Sequence, residues 1–173
     1  MVRHLHSHKK IEHKKKKKRL RDRNFFFEEG RDFSKSAPQN VLGISDRELT
    51  KMFDRAWEML EFHETADAVR AFTLLCYIHP YISDSWYGLA LAFRDSELYE
   101  EAVSALFMAE TIEPNRFEFY REAIECCILL GNKREAQHIF HRMHSHRRSI
   151  DGFESLKAEC SYLRELVDLP TAP

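Results

Sequence analysis

From residue 46 onward the apolar residues of this chain fall at helical spacing, in six consecutive blocks of nearly equal length. The pattern predicts helices over 46–62, 65–79, 83–96, 99–112, 117–130 and 133–146, and no alternating stretch competes with them as a strand. Ser45 followed by Glu48 has the form of a capping box, with Ile44 and Leu49 placed as a hydrophobic staple, so the first helix should begin near Asp46. Ser83 is placed to cap a second helix. Phe153, Leu156, Cys160, Leu163 and Val167 predict a seventh helix over 151–168.

The blocks repeat. Ala68, Ala102 and Ala136 lie 34 residues apart, each followed four residues on by Phe72, Leu106 or Phe140 and twelve on by Pro80, Pro114 or Arg148. Met52, Trp86 and Tyr120 keep the same interval, as do Ala56, Ala90 and Ile124. Small residues, aromatics and a closing proline at this period are the tetratricopeptide signature. The alanines stand where two helices of a hairpin cross and their backbones must approach, and Pro80 and Pro114 end the second helix of the first two repeats for want of an amide donor, while the third repeat has Arg148 in that place. The expected fold is all-α: three hairpins stacked as a right-handed superhelix over 46–148, with a capping helix and tail at 149–173. Residues 25–45 read as a linker or docking segment, and residues 1–24 as a disordered basic tail.

Charge sharpens the tail. Residues 1–24 carry seven lysines and four arginines against Glu12 and Asp22, a net of +9, while the remainder holds 16 basic and 26 acidic residues, a net of −10. A stretch with the run Lys14 to Lys18 and little apolar content before Phe25 cannot offset its ordering entropy by burial. Residues 9–23 could hold nucleic acid or another anionic surface, or form a solvated tail that helps solubility or folds back on the acidic body. No apolar run is long enough for a membrane span, and no apolar stretch follows the charged start as a secretion signal requires.

Catalytic chemistry has no visible carrier. The sequence holds no glycine-rich phosphate loop, nucleophile elbow or zinc-protease helix. Cys76, Cys126, Cys127 and Cys160 form no CxxC pair and read as reduced thiols. His4, His6, His8 and His13 lie in the tail without rigid geometry, and His138, His141, His144 and His146 read as solvated or core-edge residues. No enzyme activity, metal or cofactor is expected.

The first helix carries more apolar surface than one core stripe requires. Leu49, Met52, Ala56 and Met59 supply that stripe, yet Phe53, Trp57 and Leu60 make a second one, rotated by about 85° at about 100° per residue. The repeat-equivalent positions are Tyr87, Leu91 and Arg94 in the second repeat and Arg121, Glu125 and Ile128 in the third. These nine residues predict a concave peptide-binding face that runs from aromatic to charged, since large rings in a groove are the usual anchors of peptide recognition. The competing reading packs Phe53 and Trp57 against residues 25–44, where Phe25, Phe26, Phe27 and Phe33 also need cover, or against a second copy.

Several stretches resemble one family. They are LeuxxxPhexxAlaTrp at 49–57, Ala68 with PhexxLeuCys at 72–76, TrpTyrGlyLeuAla at 86–90, TyrxxAla at 99–102, GluPro with PhexPhe at 113–119, and GluCysxxLeuLeuGly at 125–131. In order and spacing this is similar to the class II chaperones of bacterial type III secretion, the SycD/LcrH/IpgC family, over about residues 46–147. The resemblance implies a cytoplasmic chaperone that grips an extended segment of a secreted, hydrophobic translocator in its concave groove. It also implies bulky side chains of the first helix, here Phe53, Trp57 and Leu60, as the grip, and a homodimer through the amino-terminal segment. The polybasic tail is not a general feature of that family. A general tetratricopeptide scaffold for another peptide, and a nucleic-acid adaptor acting through the tail, are the alternatives.

Overall fold

The computed structural model describes residues 37–147, Ile150, Phe153 and 157–167. Eight helices are present among them: α1 (Pro38–Val41), α2 (Asp46–Glu61), α3 (Thr65–Ile78), α4 (Ser83–Asp95), α5 (Tyr99–Ile112), α6 (Phe117–Leu129), α7 (Lys133–Ser145) and α8 (Lys157–Leu166). Helices α2 to α7 form three hairpins at the predicted places, each end within one residue of the sequence expectation. The tail at 1–24, the docking segment up to residue 36 and residues 151, 152, 154–156 and 168 of the seventh predicted helix lie outside the described residues.

Local chemistry sets the start of α2. The Ser45 hydroxyl accepts from the Glu48 amide at 3.3 Å, and the Glu48 carboxylate accepts from the Ser45 amide at 2.9 Å. The Ser45 hydroxyl also donates to the Glu48 carboxylate at 2.6 Å, and this bond first, the Ser45 amide second, hold the Glu48 carboxyl below the ordinary range. Ser83 does not cap its helix, contrary to expectation. It is the first residue of α4, and its hydroxyl donates to the Glu113 carboxylate at 2.7 Å, a partner 30 residues away. The four-residue helix α1, opened by Pro38, was not expected inside the linker.

Each hairpin turns in the same way. His63, Glu97 and Gly131, again 34 residues apart, have φ of 60°, 62° and 71°. The next amide in each case bonds back across the helix end: Glu64 to Met59, Leu98 to Phe93 and Asn132 to Cys127, all at 2.9 Å. This is the Schellman arrangement, in which one left-handed residue lets the chain reverse while satisfying the last carbonyls. Only the third repeat uses glycine there.

Packing follows the period as well. Ala68, Ala102 and Ala136 are all fully buried, with Phe72, Leu106 and Phe140 beside them in the core. Trp86 Nε1 donates to the Pro80 carbonyl and Tyr120 Oη to the Pro114 carbonyl, both at 2.8 Å, so two successive repeats fasten their first helix to the preceding proline alike. Successive helices pack in chain order from α2 to α7, α2 also meets α4, and α8 rests on α6. The first helices of the hairpins thus line one side and the second helices the other.

Candidate functional site

The nine residues predicted for the concave face do fall on α2, α4 and α6, at matching positions of the three repeats. Their exposure divides them. Phe53, Trp57, Leu60 and Tyr87 have only 4%, 7%, 9% and 0% of their surface accessible and belong to the hydrophobic core. Leu91, Arg94, Arg121, Glu125 and Ile128 are half-buried.

The expectation that Phe53, Trp57 and Leu60 lie outside the core is therefore corrected. The Phe72 ring, itself part of the repeat scaffold, stands edge-on to Trp57 at 5.2 Å and to Phe53 at 6.2 Å. Trp57 continues to Tyr87 at 6.4 Å, and Tyr87 to Phe119 at 5.3 Å. Offset and edge-on geometries of this kind are the favourable ones for aromatic pairs. One chain of rings thus runs from the first repeat to the third, while Met52 and Met59, assigned to the core stripe, are only partly buried. The two apolar stripes of α2 form one wide buried face.

At the third repeat the rings give way to charge. The Arg94 guanidinium is ion-paired with Glu122 and lies 3.4 Å from Asp95, and Arg121 donates to Glu122 at 2.9 Å. Burial works against the Arg94 charge, but the Glu122 and Asp95 carboxylates outweigh it and hold its pKa above the ordinary arginine value. Deeper in, Arg116 joins Asp84 at 2.5 Å and Glu113 at 3.2 Å, with its guanidinium 4.5 Å from the centre of the Phe119 ring. These pairs bind the second repeat to the third, and the arginines of this face are already engaged by carboxylates of the same chain. Glu122, Asp95 and Arg116 were not singled out from sequence, and Phe119 entered only within the PhexPhe stretch; the available cue was the run of acids at Glu118, Glu122 and Glu125 on α6.

The remaining titratable groups build no reactive centre among the described residues. Burial pushes the Cys76 and Cys126 thiols up to about 12 and Cys127 to about 11, so they stay protonated and unreactive near neutral pH. No group of three or more His, Cys, Asp or Glu residues that could hold a metal is present among the described residues. His138 lies 3.7 Å from Glu135, His146 shares a hydrogen bond with Tyr120 at 3.2 Å, and His144 packs between Phe140 and Phe153. No helix among the described residues is long and apolar enough to cross a membrane.

No protein-family model and no curated protein matches the sequence. Solved structures do match. A type III secretion complex from Aeromonas hydrophila superimposes with a TM-score of 0.70 at 17% identity, over 79% of this chain and 92% of that one. PcrH of Pseudomonas aeruginosa, bound to the chaperone-binding region of PopD, gives 0.66 at 23% identity over 73% and 95%. The Yersinia enterocolitica type III secretion chaperone SycD, bound to a peptide of the translocator YopD, gives 0.63 at 19% over 72% and 93%. The chain shares the helical-repeat fold of these proteins.

Proposed function

We propose that this chain is a bacterial, cytoplasmic type III secretion chaperone that holds an extended segment of a hydrophobic translocator on the face formed by α2, α4 and α6. The observation that carries the reading is that proteins of this fold, over most of this chain's length, have been solved holding segments of other proteins: PcrH with the chaperone-binding regions of PopD and PopB, and SycD with a peptide of the translocator YopD. The family stretches in the sequence support it independently. We take residues 46–148 as the binding module, 149–173 as its cap, and residues 25–45 as the candidate dimer contact.

The buried rings of α2 then hold the face rigid from behind, and the half-buried Leu91 and Ile128 provide surface that a client side chain can reach. Because Arg94 and Arg121 are engaged by Glu122, the groove does not offer bare cations to an acidic peptide, which favours an apolar client over a charged one. The proposed role is binding rather than catalysis.

The test uses positions that are not packed deep in the core. Leu91→Glu and Ile128→Glu should each weaken binding of a synthetic translocator segment at least tenfold in calorimetry while leaving the thermal melting curve in place. Affinity unchanged in both variants would overturn this placement of the client. Failure of the wild-type chain to hold any co-expressed translocator would overturn the chaperone reading itself.

A further inference from the structure

On the opposite side of α4 from Tyr87 and Leu91 lies a second groove, between α4 and α5, with a volume of about 440 Å3. That lies within the range of about 300–1,000 Å3 that ligand and side-chain pockets occupy. Trp86, Leu89 and Phe93 of α4 make its floor and Met108 of α5 one wall. The single polar atom of Trp86 is already committed to the Pro80 carbonyl, so its ring offers only apolar surface. Met108 is 39% exposed, which leaves an apolar face open toward solvent. At the lip stand Glu100 and Glu101 in the first turn of α5, where they complement the helix end. Neither carboxylate has an ion-pair or hydrogen-bond partner among the described residues.

An apolar floor beside two carboxylates calls for rings next to cations. The chain carries such a segment outside the described residues: Arg19, Arg21 and Arg23 directly before Phe25, Phe26 and Phe27, preceded by Lys14 to Lys18. Charge complementarity is large in scale, since residues 1–24 carry a net of +9 and the remainder −10. Reach is sufficient too. Phe27 precedes Ala37 by ten residues, which span about 33 Å when extended. α1, α3, α4 and α5 pack in succession, and at about 8–10 Å per helix pair that path is no longer than the extended segment. Tethering raises the effective concentration to about the millimolar range, so a weak intrinsic contact is enough for occupancy.

We infer that residues 19–27 of the same chain dock in the groove between α4 and α5, placing phenyl rings on Trp86 and Phe93 and arginines against Glu100 and Glu101. The docked segment covers an apolar surface that would otherwise associate with other chains. It leaves the α2, α4 and α6 face open, so it does not depend on the translocator reading, and it draws only Phe25 to Phe27 from the segment proposed for the dimer contact.

Carbodiimide coupling in the full-length protein, followed by mass spectrometry, reads the contact directly because it joins lysines to neighbouring carboxylates. Lys14 to Lys18 should couple to Glu100 and Glu101. The yield should fall at least tenfold in Phe25→Ala/Phe26→Ala/Phe27→Ala and in Met108→Glu, with an unchanged melting curve in each. Couplings spread evenly over surface carboxylates, or a yield that neither variant changes, would overturn the proposal. A mixture of 14N- and 15N-labelled chains separates the remaining case: mixed-isotope products would show that a second copy supplies the segment and would overturn the intramolecular docking.

Discussion

Gly88 has no room for another carbon. A Cβ placed there would overlap the Phe72 ring, which is fully buried and edge-on to both Phe53 and Trp57. Gly88→Ala must therefore displace a packed ring, and we expect a loss of about 1–3 kcal/mol in urea unfolding, the usual range for overpacking. A cost below experimental error would mean that α3 and α4 separate without penalty. Gly131 is glycine for a different reason, since open space surrounds it and only its positive φ disfavours a side chain. His63 and Glu97 accept the same backbone at the equivalent turns. In sequence these three look unrelated; their shared role is visible only once the 34-residue register is laid over the dihedral angles.

At the scale of elements, helix boundaries were legible because they rest on nearby signals: the Ser45–Glu48 box, the closing prolines and the apolar spacing. The width of a buried face was not. Spacing along α2 separates Phe53, Trp57 and Leu60 from Leu49 and Ala56, but it cannot say how far the neighbouring helices reach around α2. Phe72 and Tyr87 reach far enough to bury both stripes. The consequence is measurable: Trp57→Ala should lower unfolding free energy by about 3–5 kcal/mol, as removal of a buried aromatic does, with a matching drop in melting temperature. A variant as stable as the wild type would return Trp57 to the surface. The same reasoning explains Ser83, whose local placement suggests a cap while its hydroxyl is taken by Glu113 from the next repeat.

For the whole molecule, acid sensitivity tests how the repeats and the cap are joined. Burial holds the His79 imidazole below its ordinary pKa of 6.5, against a smaller pull from its own backbone bond and Asp46. His144, between Phe140 and Phe153, is lowered by burial and by Arg164, Arg147 and His141. Both groups bind protons more readily unfolded than folded, so unfolding takes up protons below pH 6.5 and stability falls as pH drops through that range. The urea midpoint should decline from pH 7.5 to 5.5, and less so in a His79→Gln/His144→Gln variant. A midpoint that rises on acidification would contradict this assignment. The repeated hairpin architecture was determined by the sequence alone, because its causes are local: a small residue at each crossing, a proline at the close of the first two hairpins and apolar residues at helical spacing. Which rings are buried, which carboxylates engage Arg94 and Arg116, and where an open groove remains were decided only by the tertiary structure. Those outcomes depend on side chains 28 to 32 residues apart meeting across the stack, as Arg94 meets Glu122 and Asp84 meets Arg116, and no pattern within a single helix specifies them.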